Sequence, residues 1–288
     1  MQKPPITPGT RFCAVIGNPV AHSLSPAIHN AAFEKLGLDF VYLACRVENV
    51  KEALSGMRAL GNFRGMSVTI PHKTEAMEYV DEVLEEDRAI GSINTVINHN
   101  GKLTGFGTDG PGALRAMIDA GIPLEGKRVL ILGAGGAARA IAFTLALKTR
   151  IQALHLMDVE KAVMGQLARD LSAGTGTPIS SELLSDRSLA SAMGISDIII
   201  HCTPVGMHPK TETSLIPEEL FLPHQVVFDI VYTPRNTKLL MDASRRGCKT
   251  LSGVEMFIHQ AVLQFEAFTG EKAPVEVMRK VVLENLSK

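Results

Sequence analysis

A glycine-rich turn is the sequence feature that most constrains the fold of this 288-residue chain. The apolar run KRVLIL is typical of a buried strand, GAGGAA follows it at residues 133–138, and an alanine-rich helical pattern continues to Lys148. Glycine permits a tight turn and lets backbone N–H groups approach a pyrophosphate at the helix N-terminus. The pattern predicts a dinucleotide-binding βαβ unit, although Ala138 replaces its third glycine. A glycine-rich turn without a ligand is the alternative.

An acidic residue at the end of the next predicted strand strengthens this interpretation. Asp158 lies 23 residues after Gly135, where a carboxylate can accept hydrogen bonds from the adenine ribose hydroxyls. A 2′-phosphate about 4 Å from that carboxylate would be disfavoured by roughly 4 kcal/mol at an effective dielectric constant near 20. The sequence therefore favours NAD over NADP. The alternative role of Asp158 is to cap the following helix.

Strands and helices alternate along the whole chain, which predicts an α/β protein of two domains. From Lys127 the alternation is tight and indicates a Rossmann-type, doubly wound parallel sheet. In the first third, Asn100-Gly101 predicts a hairpin turn. Ser25 predicts a helix N-cap with Pro26 at the first helical position, and Gly37 predicts the end of that helix.

A wide apolar stripe marks a long helix near the C-terminus. Apolar residues recur at helical spacing between positions 254 and 270, which is typical of a helix with a large buried face. We expect this helix to complete the core of the N-terminal region. The chain then divides into a substrate-binding catalytic domain at residues 1–106, an inserted dinucleotide-binding Rossmann domain at 107–252, and C-terminal helices at 253–288 that return to the substrate domain.

Composition excludes several classes of function. The net charge of −1 gives no general field for binding nucleic acid or an anionic membrane. The cysteines are far apart and the histidines lack ligand spacing, so no metal site is expected. The N-terminal MQKPPITPGTR carries no apolar signal segment, and no stretch of about 18 uncharged apolar residues occurs. We expect a cytoplasmic enzyme, monomer or homodimer, that acts on a small molecule.

Eight motifs along the chain resemble, in the same order, the shikimate dehydrogenase family, including its quinate/shikimate members. They are GNPVAHSLSPAIHN, SVTIPHK, GSINTV, GTDG, GAGGAA, TPVGM, DIVY and SGVEMFIHQA. The resemblance covers nearly the whole chain. It implies an NAD(P)-dependent oxidoreductase that reversibly reduces 3-dehydroshikimate to shikimate in chorismate and aromatic amino acid biosynthesis, with NADPH as the usual cofactor of the biosynthetic members.

The resemblance also implies roles for individual residues. Lys73 and Asp109 would be the catalytic pair: Lys73 would donate the proton to the substrate oxygen during reduction, and Asp109 would favour its ammonium form. The implied substrate-binding residues are Ser23, Ser25, Thr69, Asn94, Tyr232 and Gln260. The implied cofactor-binding residues are Gly133, Ala134, Gly135, Gly136, Ala137, Asp158, Thr203, Val205, Ile230, Gly253 and Met256.

Several of these residues have a structural alternative. Ser25 and Asp109 are candidate helix N-caps. Taken alone, Lys73 would be a solvated surface lysine, and Gln260 a solvated glutamine beside the apolar stripe. Three histidines, at positions 22, 72 and 201, are interpreted as structural.

Three departures from the family pattern bear on specificity. The family often has asparagine in place of Ser67, and the shorter serine would loosen selection against the extra hydroxyl of quinate. The family often has NTDG where this chain has GTDG at residues 107–110. NADP-using members typically have Asn-Arg-Thr where this chain has LMD at residues 156–158. The alternatives are an NAD-dependent quinate/shikimate dehydrogenase acting oxidatively and a non-catalytic, ligand-sensing homologue.

Overall fold

The computed structural model describes residues 5–286, which form two compact units. Unit 1 is Met1–Thr108 with Gln260–Lys288, and unit 2 is Asp109–His259. The boundaries expected after residues 106 and 252 are displaced, because the first connection runs to the start of a helix and the second falls inside a continuous helix. Residues 1–4 and 287–288 lie outside the described residues. The first four belong to the predicted substrate domain and to the N-terminal stretch in which the sequence predicts no signal segment.

Unit 1 is built on a six-stranded mixed sheet. Its strands are β1 (Arg11–Gly17), β2 (Phe40–Arg46), β3 (Phe63–Val68), β4 (Glu82–Val83), β5 (Thr95–His99) and β6 (Lys102–Phe106), in the order β2-β1-β3-β5-β6-β4. β1 is parallel to β2 and β3, whereas β5 is antiparallel to β3 and β6. The helices between these strands are α1 (Ser25–Leu36), α2 (Val50–Arg58), a 3-10 turn (Glu75–Tyr79) and α3 (Glu85–Ile90).

Local signals in unit 1 are partly as predicted. The β5–β6 hairpin turns at Asn100 and Gly101, whose φ angles are 54° and 90°, as the sequence indicates. The helix α1 ends at Gly37, as expected. The predicted N-cap is wrong: Ser25 is the first helical residue, and Leu24 precedes it without a side-chain capping bond. The hydroxyl of Ser23, two residues upstream, accepts the Ser25 N–H at 3.3 Å instead.

Unit 2 is built on a six-stranded parallel sheet. Its elements are α4 (Asp109–Asp119), β7 (Arg128–Leu132), α5 (Gly136–Lys148), β8 (Ala153–Asp158), α6 (Lys161–Gly174), β9 (Ile179–Leu183), α7 (Asp186–Ile195), β10 (Ile198–His201), a 3-10 turn (Glu218–Leu220), β11 (Val226–Asp229), α8 (Lys238–Arg245) and β12 (Lys249–Ser252). The strand order is β12-β11-β10-β7-β8-β9. The order reverses between β7 and β10, which is where open α/β sheets bind ligands at the carboxyl ends of their strands.

Two helices complete the described chain. α9 (Gly253–Thr269) carries the predicted apolar stripe, of which Ile258, Ala261 and Phe265 are completely buried. α10 (Val275–Leu286) packs on α1 in unit 1. Between residues 5 and 286, no helix combines the length and apolar character needed to cross a membrane.

His29 is completely buried among aromatic side chains in unit 1. Its ring stacks on Tyr42 with centroids 4.3 Å apart and lies close to Phe33, Phe265 and Phe268. Neither ring nitrogen has a hydrogen-bond partner among the described residues. Burial lowers the pKa of His29 to about 3, because the charged imidazolium has no access to water. The folded protein therefore holds a neutral imidazole here.

We predict that His29 makes the protein less stable in acid. The unfolded chain binds this proton below about pH 6.5 while the folded one does not, so stability falls as the pH decreases. Between pH 7.5 and pH 5 the free energy of unfolding should fall by about 2 kcal/mol from this residue. Urea denaturation at both pH values should show this loss in the unmodified protein but not in His29→Leu.

His99→Leu, at an exposed residue of the β5–β6 hairpin, is the matched control and should keep the full pH dependence. If His29→Leu loses as much stability on acidification as the unmodified protein, the buried imidazole does not stay neutral.

Candidate active site

Three of the predicted site residues lie at one edge of the unit 1 sheet, where β3 ends and β5 begins. Thr69 directly follows β3, and its N–H donates to the carbonyl of Ile16 at the end of β1 at 2.9 Å. The carbonyl of Lys73 accepts the N–H of Ile93 at 2.9 Å. Asn94 comes next in the chain, immediately before β5. The structure thus brings Thr69, Lys73 and Asn94 to the same sheet edge, and the side chain of Lys73 is half-buried rather than fully solvated.

Asn94 holds the segment that leads to Asp109. Its Oδ1 accepts the Thr108 N–H at 2.7 Å, and its Nδ2 donates to the Thr108 hydroxyl at 3.0 Å. Both side chains are buried. Asp109 follows directly as the first residue of α4, inside the helix and not at the capping position before it. Asp109 therefore directly follows a residue that the buried side chain of Asn94 holds.

Gln264 is a buried polar residue that sequence reasoning missed. It is 2% exposed; its Oε1 accepts from the Ser67 hydroxyl at 2.7 Å, and its Nε2 donates to the Thr95 hydroxyl at 3.1 Å and to the Asn94 carbonyl at 3.2 Å. The Ser67 hydroxyl also bonds the hydroxyl of Tyr42 at 2.6 Å. One signal was present in the sequence: Gln264 lies four residues after Gln260, so both fall on one face of α9.

The remaining predicted substrate residues of unit 1 lie on α9 and beside the start of α1. Ser25 is buried in the first turn of α1, and Ser23 is half-buried just before it. Gln260 is buried on α9, so the solvated alternative is wrong. The predicted structural role of His72 agrees with its buried ring, which bonds the carbonyl of Val47 at 2.8 Å.

The glycine turn of unit 2 leaves the N-terminus of α5 open. Gly133 has a φ of 105°, and a Cβ there would lie 2.9 Å from the carbonyl oxygen of Cys202, so only glycine fits. Gly135 is the N-cap residue of α5 and provides no side-chain capping bond. A Cβ at Gly135 or Gly136 would meet nothing within 4 Å. Backbone N–H groups at this helix start are thus accessible to a phosphate group, which fits the predicted dinucleotide.

Asp158 is bound to the glycine turn. Its Oδ2 accepts the Ala134 N–H at 2.6 Å, and its Oδ1 accepts the Glu160 N–H at 2.8 Å. The N-cap residue of α6 is Glu160, so capping that helix is not the role of Asp158. An ionised carboxylate has acceptor capacity beyond these two bonds, and can therefore also receive a ribose hydroxyl. Nearby on α5, Arg139 is paired with Asp170 at 2.7 Å.

The other predicted cofactor residues lie where β10 and β11 end and α9 begins. Gly253 packs directly against the carbonyl of Ile230, and a Cβ at Gly253 would overlap it. Met256 is buried in the first turn of α9. Tyr232, a predicted substrate residue, is placed in unit 2, where its ring stacks on Phe257 with centroids 4.9 Å apart. Burial raises the pKa of the Tyr232 phenol.

His201 organises the loop that carries Thr203 and Val205. Its Nδ1 lies 2.9 Å from Asp229 Oδ1, and its Nε2 lies 2.5 Å from the Thr203 hydroxyl, which accepts the Val205 N–H at 3.3 Å. Because the carboxylate only accepts, Nδ1 carries a hydrogen. Thr237, the N-cap residue of α8, donates to Asp229 Oδ2 at 2.6 Å. This buried network supports the structural interpretation of His201.

We predict that Thr237→Val destabilises unit 2 by about 3 kcal/mol, because it removes both a helix cap and a donor to a buried carboxylate. Ser185→Ala, which removes the side-chain cap of α7, is the matched control and should cost about 1 kcal/mol. Urea denaturation measures both losses. If Thr237→Val costs no more than Ser185→Ala, the hydroxyl does not support Asp229.

Within the described part of the chain, no group of three or more His, Cys, Asp or Glu side chains is arranged to hold a metal ion. The polar groups gathered at the two sites are hydroxyls, amides, a lysine and carboxylates, which bind hydroxylated and anionic organic molecules.

Two family models match parts of the chain. The model described as "Shikimate dehydrogenase substrate binding domain" matches residues 15–96. The model described as "Shikimate 5'-dehydrogenase C-terminal domain" matches residues 253–283. The first match contains the unit 1 sheet edge with Thr69, Lys73 and Asn94, and the second contains α9 with Gln260.

Relatives that match along the whole chain carry related names. A protein named "Shikimate dehydrogenase (NADP(+))" from Desulforamulus reducens is 40% identical over 283 residues, which are 97% of each chain. The crystal structure of shikimate 5-dehydrogenase from Listeria monocytogenes, in complex with shikimate and NAD, has a TM-score of 0.91 at 36% identity and covers 96% of this chain and 98% of its own. Quinate dehydrogenase from Corynebacterium glutamicum, in complex with NAD, has a TM-score of 0.89 at 30% identity, over 96% and 99% of the two chains.

Proposed function

The chain belongs to the shikimate dehydrogenase family, and on that premise we propose that it interconverts 3-dehydroshikimate and shikimate with a nicotinamide dinucleotide, in chorismate and aromatic amino acid biosynthesis. Unit 1 binds the substrate and unit 2 binds the dinucleotide. The predicted domain assignment carries over to these units with the boundaries moved to residues 108/109 and 259/260.

The observation that carries this proposal is the sheet edge of unit 1. Lys73, Thr69 and Asn94 are held there by backbone bonds to neighbouring strands, and Asp109 follows a residue that Asn94 fixes. A lysine and a carboxylate on rigid elements, beside hydroxyl and amide groups, supply proton transfer and substrate orientation together. The ligand-sensing alternative is not favoured, because the relatives are dehydrogenases by name and both residues of the pair are present.

A bound nicotinamide dinucleotide would supply the hydride chemistry. In the proposed mechanism Lys73 donates a proton to the substrate oxygen during reduction and takes it back during oxidation. Asp109 is its proposed partner in the catalytic pair. The substrate is held by the hydroxyls of Ser23, Ser25 and Thr69, the amides of Asn94 and Gln260, and the phenol of Tyr232.

Unit 2 would hold the dinucleotide. The backbone of the glycine turn at Gly133, Ala134, Gly135, Gly136 and Ala137, where the N-terminus of α5 is open, would bind its pyrophosphate. Asp158 would accept hydrogen bonds from the adenine ribose hydroxyls. The residues that would line the nicotinamide are Thr203, Val205, Ile230, Gly253 and Met256.

We predict that Lys73→Ala lowers kcat for shikimate oxidation by at least about a hundredfold, since a positioned general acid or base contributes that much or more. Shikimate should still bind, which isothermal titration calorimetry measures directly. Lys35→Ala, at an exposed lysine of α1, is the control and should retain normal kcat. Near-normal turnover in Lys73→Ala would remove Lys73 from the proton-transfer step.

We further propose that the enzyme prefers NAD, although its relative from Desulforamulus reducens is named for NADP(+). The carboxylate of Asp158 is fixed by two backbone N–H groups. A 2′-phosphate at about 4 Å would be repelled by roughly 4 kcal/mol at an effective dielectric constant near 20. Arg139, on the helix that follows the glycine turn, is already paired with Asp170, so its charge is partly neutralised.

We predict that kcat/KM is higher with NAD than with NADP. In Asp158→Ala the ratio of these two values should be smaller, because the carboxylate that repels the 2′-phosphate is gone. Steady-state kinetics with shikimate and each cofactor in parallel measure both ratios. Glu160→Ala, which removes the next exposed carboxylate along the chain, is the control and should leave the ratio close to that of the unmodified enzyme. A strong preference for NADP in the unmodified enzyme would refute this role of Asp158.

Oxidation of quinate is the second candidate activity. The preference for NAD expected from Asp158 and the likeness to a quinate dehydrogenase crystallised with NAD favour it. The Ser67 hydroxyl is hydrogen-bonded to Tyr42 and Gln264. Serine would therefore favour quinate by leaving more room for its extra hydroxyl, and not by offering a free hydrogen-bonding group. Comparing kcat/KM for quinate and shikimate separates the two activities.

The four free cysteines support a reducing, cytoplasmic location, and the proposed assembly is a monomer or homodimer.

A further inference from the structure

We infer that Asp87 is a positioning residue for Asp109: its buried carboxyl group packs against Gly107 and thereby holds the segment from which Asp109 emerges. This role rests on the proposed function, because it acts through the catalytic pair. Asp87 lies on α3, outside the motifs singled out in the sequence.

The carboxyl group of Asp87 occupies the space beside Gly107. Asp87 is 6% exposed, and its backbone is fixed by bonds to Leu84 and Gly91. A Cβ at Gly107 would lie 2.7 Å from Asp87 Oδ1, while its next neighbour, the Ser92 carbonyl oxygen, would be at 3.9 Å. The φ of Gly107 lies outside the left-handed region. Glycine is therefore needed at this position to make room for Asp87, and not for its backbone conformation.

Two side chains of unit 1 hold consecutive residues of this segment. The carbonyl of Phe106 accepts the Asn94 N–H at 3.2 Å. Gly107 lies against the Asp87 carboxyl group, and the Thr108 N–H donates to Asn94 Oδ1 at 2.7 Å. Asp109 is the next residue. Asn94 is also a proposed substrate contact, whereas Asp87 is not. Substituting Asp87 therefore changes the support of this segment without removing a substrate-binding group.

The position of Asp87 is costly for stability. Burial raises the pKa of its carboxyl group to about 6, and the neighbouring Glu86 raises it further, while the Gly107 N–H acts in the opposite direction. The folded pKa lies above that of the unfolded chain, so the protein loses stability as the pH rises toward 6 and carries the full loss above it. Asp87 is therefore placed for its contact with Gly107 and not for a contribution of its charge to stability.

The experiment compares two substitutions of Asp87 at pH 7.5. Asp87→Asn keeps the size and shape of the side chain that packs against Gly107 and removes the charge, whereas Asp87→Ala removes the packing group. We expect Asp87→Asn to keep kcat within about twofold, and Asp87→Ala to lower kcat about tenfold, since small misplacements of catalytic groups reduce rate strongly. The Tm of Asp87→Asn should equal or exceed that of the unmodified enzyme. Glu85→Gln, at an exposed carboxylate of the same helix, should change neither quantity.

A double substitution tests the connection to Asp109. If Asp87 acts through Asp109, then Asp87→Ala should lower kcat no further in a protein that already carries Asp109→Ala. Additive losses would overturn the inference. Equal kcat in Asp87→Ala and the unmodified enzyme would overturn it too, as would equal losses in Asp87→Asn and Asp87→Ala.

Failure of this inference is distinguishable from failure of the proposed function. If the unmodified enzyme oxidises shikimate and Lys73→Ala does not, while Asp87→Ala keeps its kcat, only the role of Asp87 is overturned. If the unmodified protein does not oxidise shikimate, the proposed function is overturned and the role of Asp87 with it.

Discussion

The side chain and backbone of Asn94 join the parts of unit 1 on which the site depends. Its carbonyl accepts the Val68 N–H at the end of β3, its N–H donates to Phe106 at the end of β6, and its amide holds Thr108. Lys73 is tied to the same point through the neighbouring Ile93. Losing this one amide would leave several buried donors and acceptors without partners, each costing about 1–3 kcal/mol. The buried side chain of Asn94 therefore holds the residue before Asp109, while the backbone of the neighbouring Ile93 ties Lys73 to the same sheet edge.

The two units build their sites by opposite means. In unit 1 the site edge is defined by polar side chains that satisfy one another, as in the chain of bonds from Tyr42 through Ser67 to Gln264. In unit 2 the site edge is defined by the lack of side chains at Gly133 and Gly253. The backbone at each glycine can therefore approach the backbone of a neighbouring segment closely. A substrate with several hydroxyls needs fixed donors and acceptors, while a pyrophosphate needs backbone N–H groups and space.

This difference explains what could be predicted from the sequence. The glycine turn, the Asn100-Gly101 hairpin and the apolar stripe of α9 are local patterns, and the structure contains all three. The Gln264 network was missed because its partners lie 169 to 197 residues away, and the edge strand β9 because most of its residues are exposed and polar. The helix N-cap predicted at Ser25 is wrong, which shows the limit of local patterns too. The Ser23 hydroxyl accepts the Ser25 N–H, and the sequence pattern does not reveal this bond. Lys73 and Asp109 gained their roles only from the family resemblance.

The bond between Asp158 and Ala134 links cofactor choice to phosphate binding. The carboxylate that would receive the adenine ribose also fixes the second residue of the glycine turn. It cannot turn away from a 2′-phosphate without releasing the Ala134 N–H. A substitution at residue 158 that removes the carboxylate therefore also removes the partner of that N–H. Under the proposed preference for NAD, a change to NADP would require both a new cation near the ribose and a new partner for the Ala134 N–H, because one carboxylate serves both the choice of cofactor and the turn.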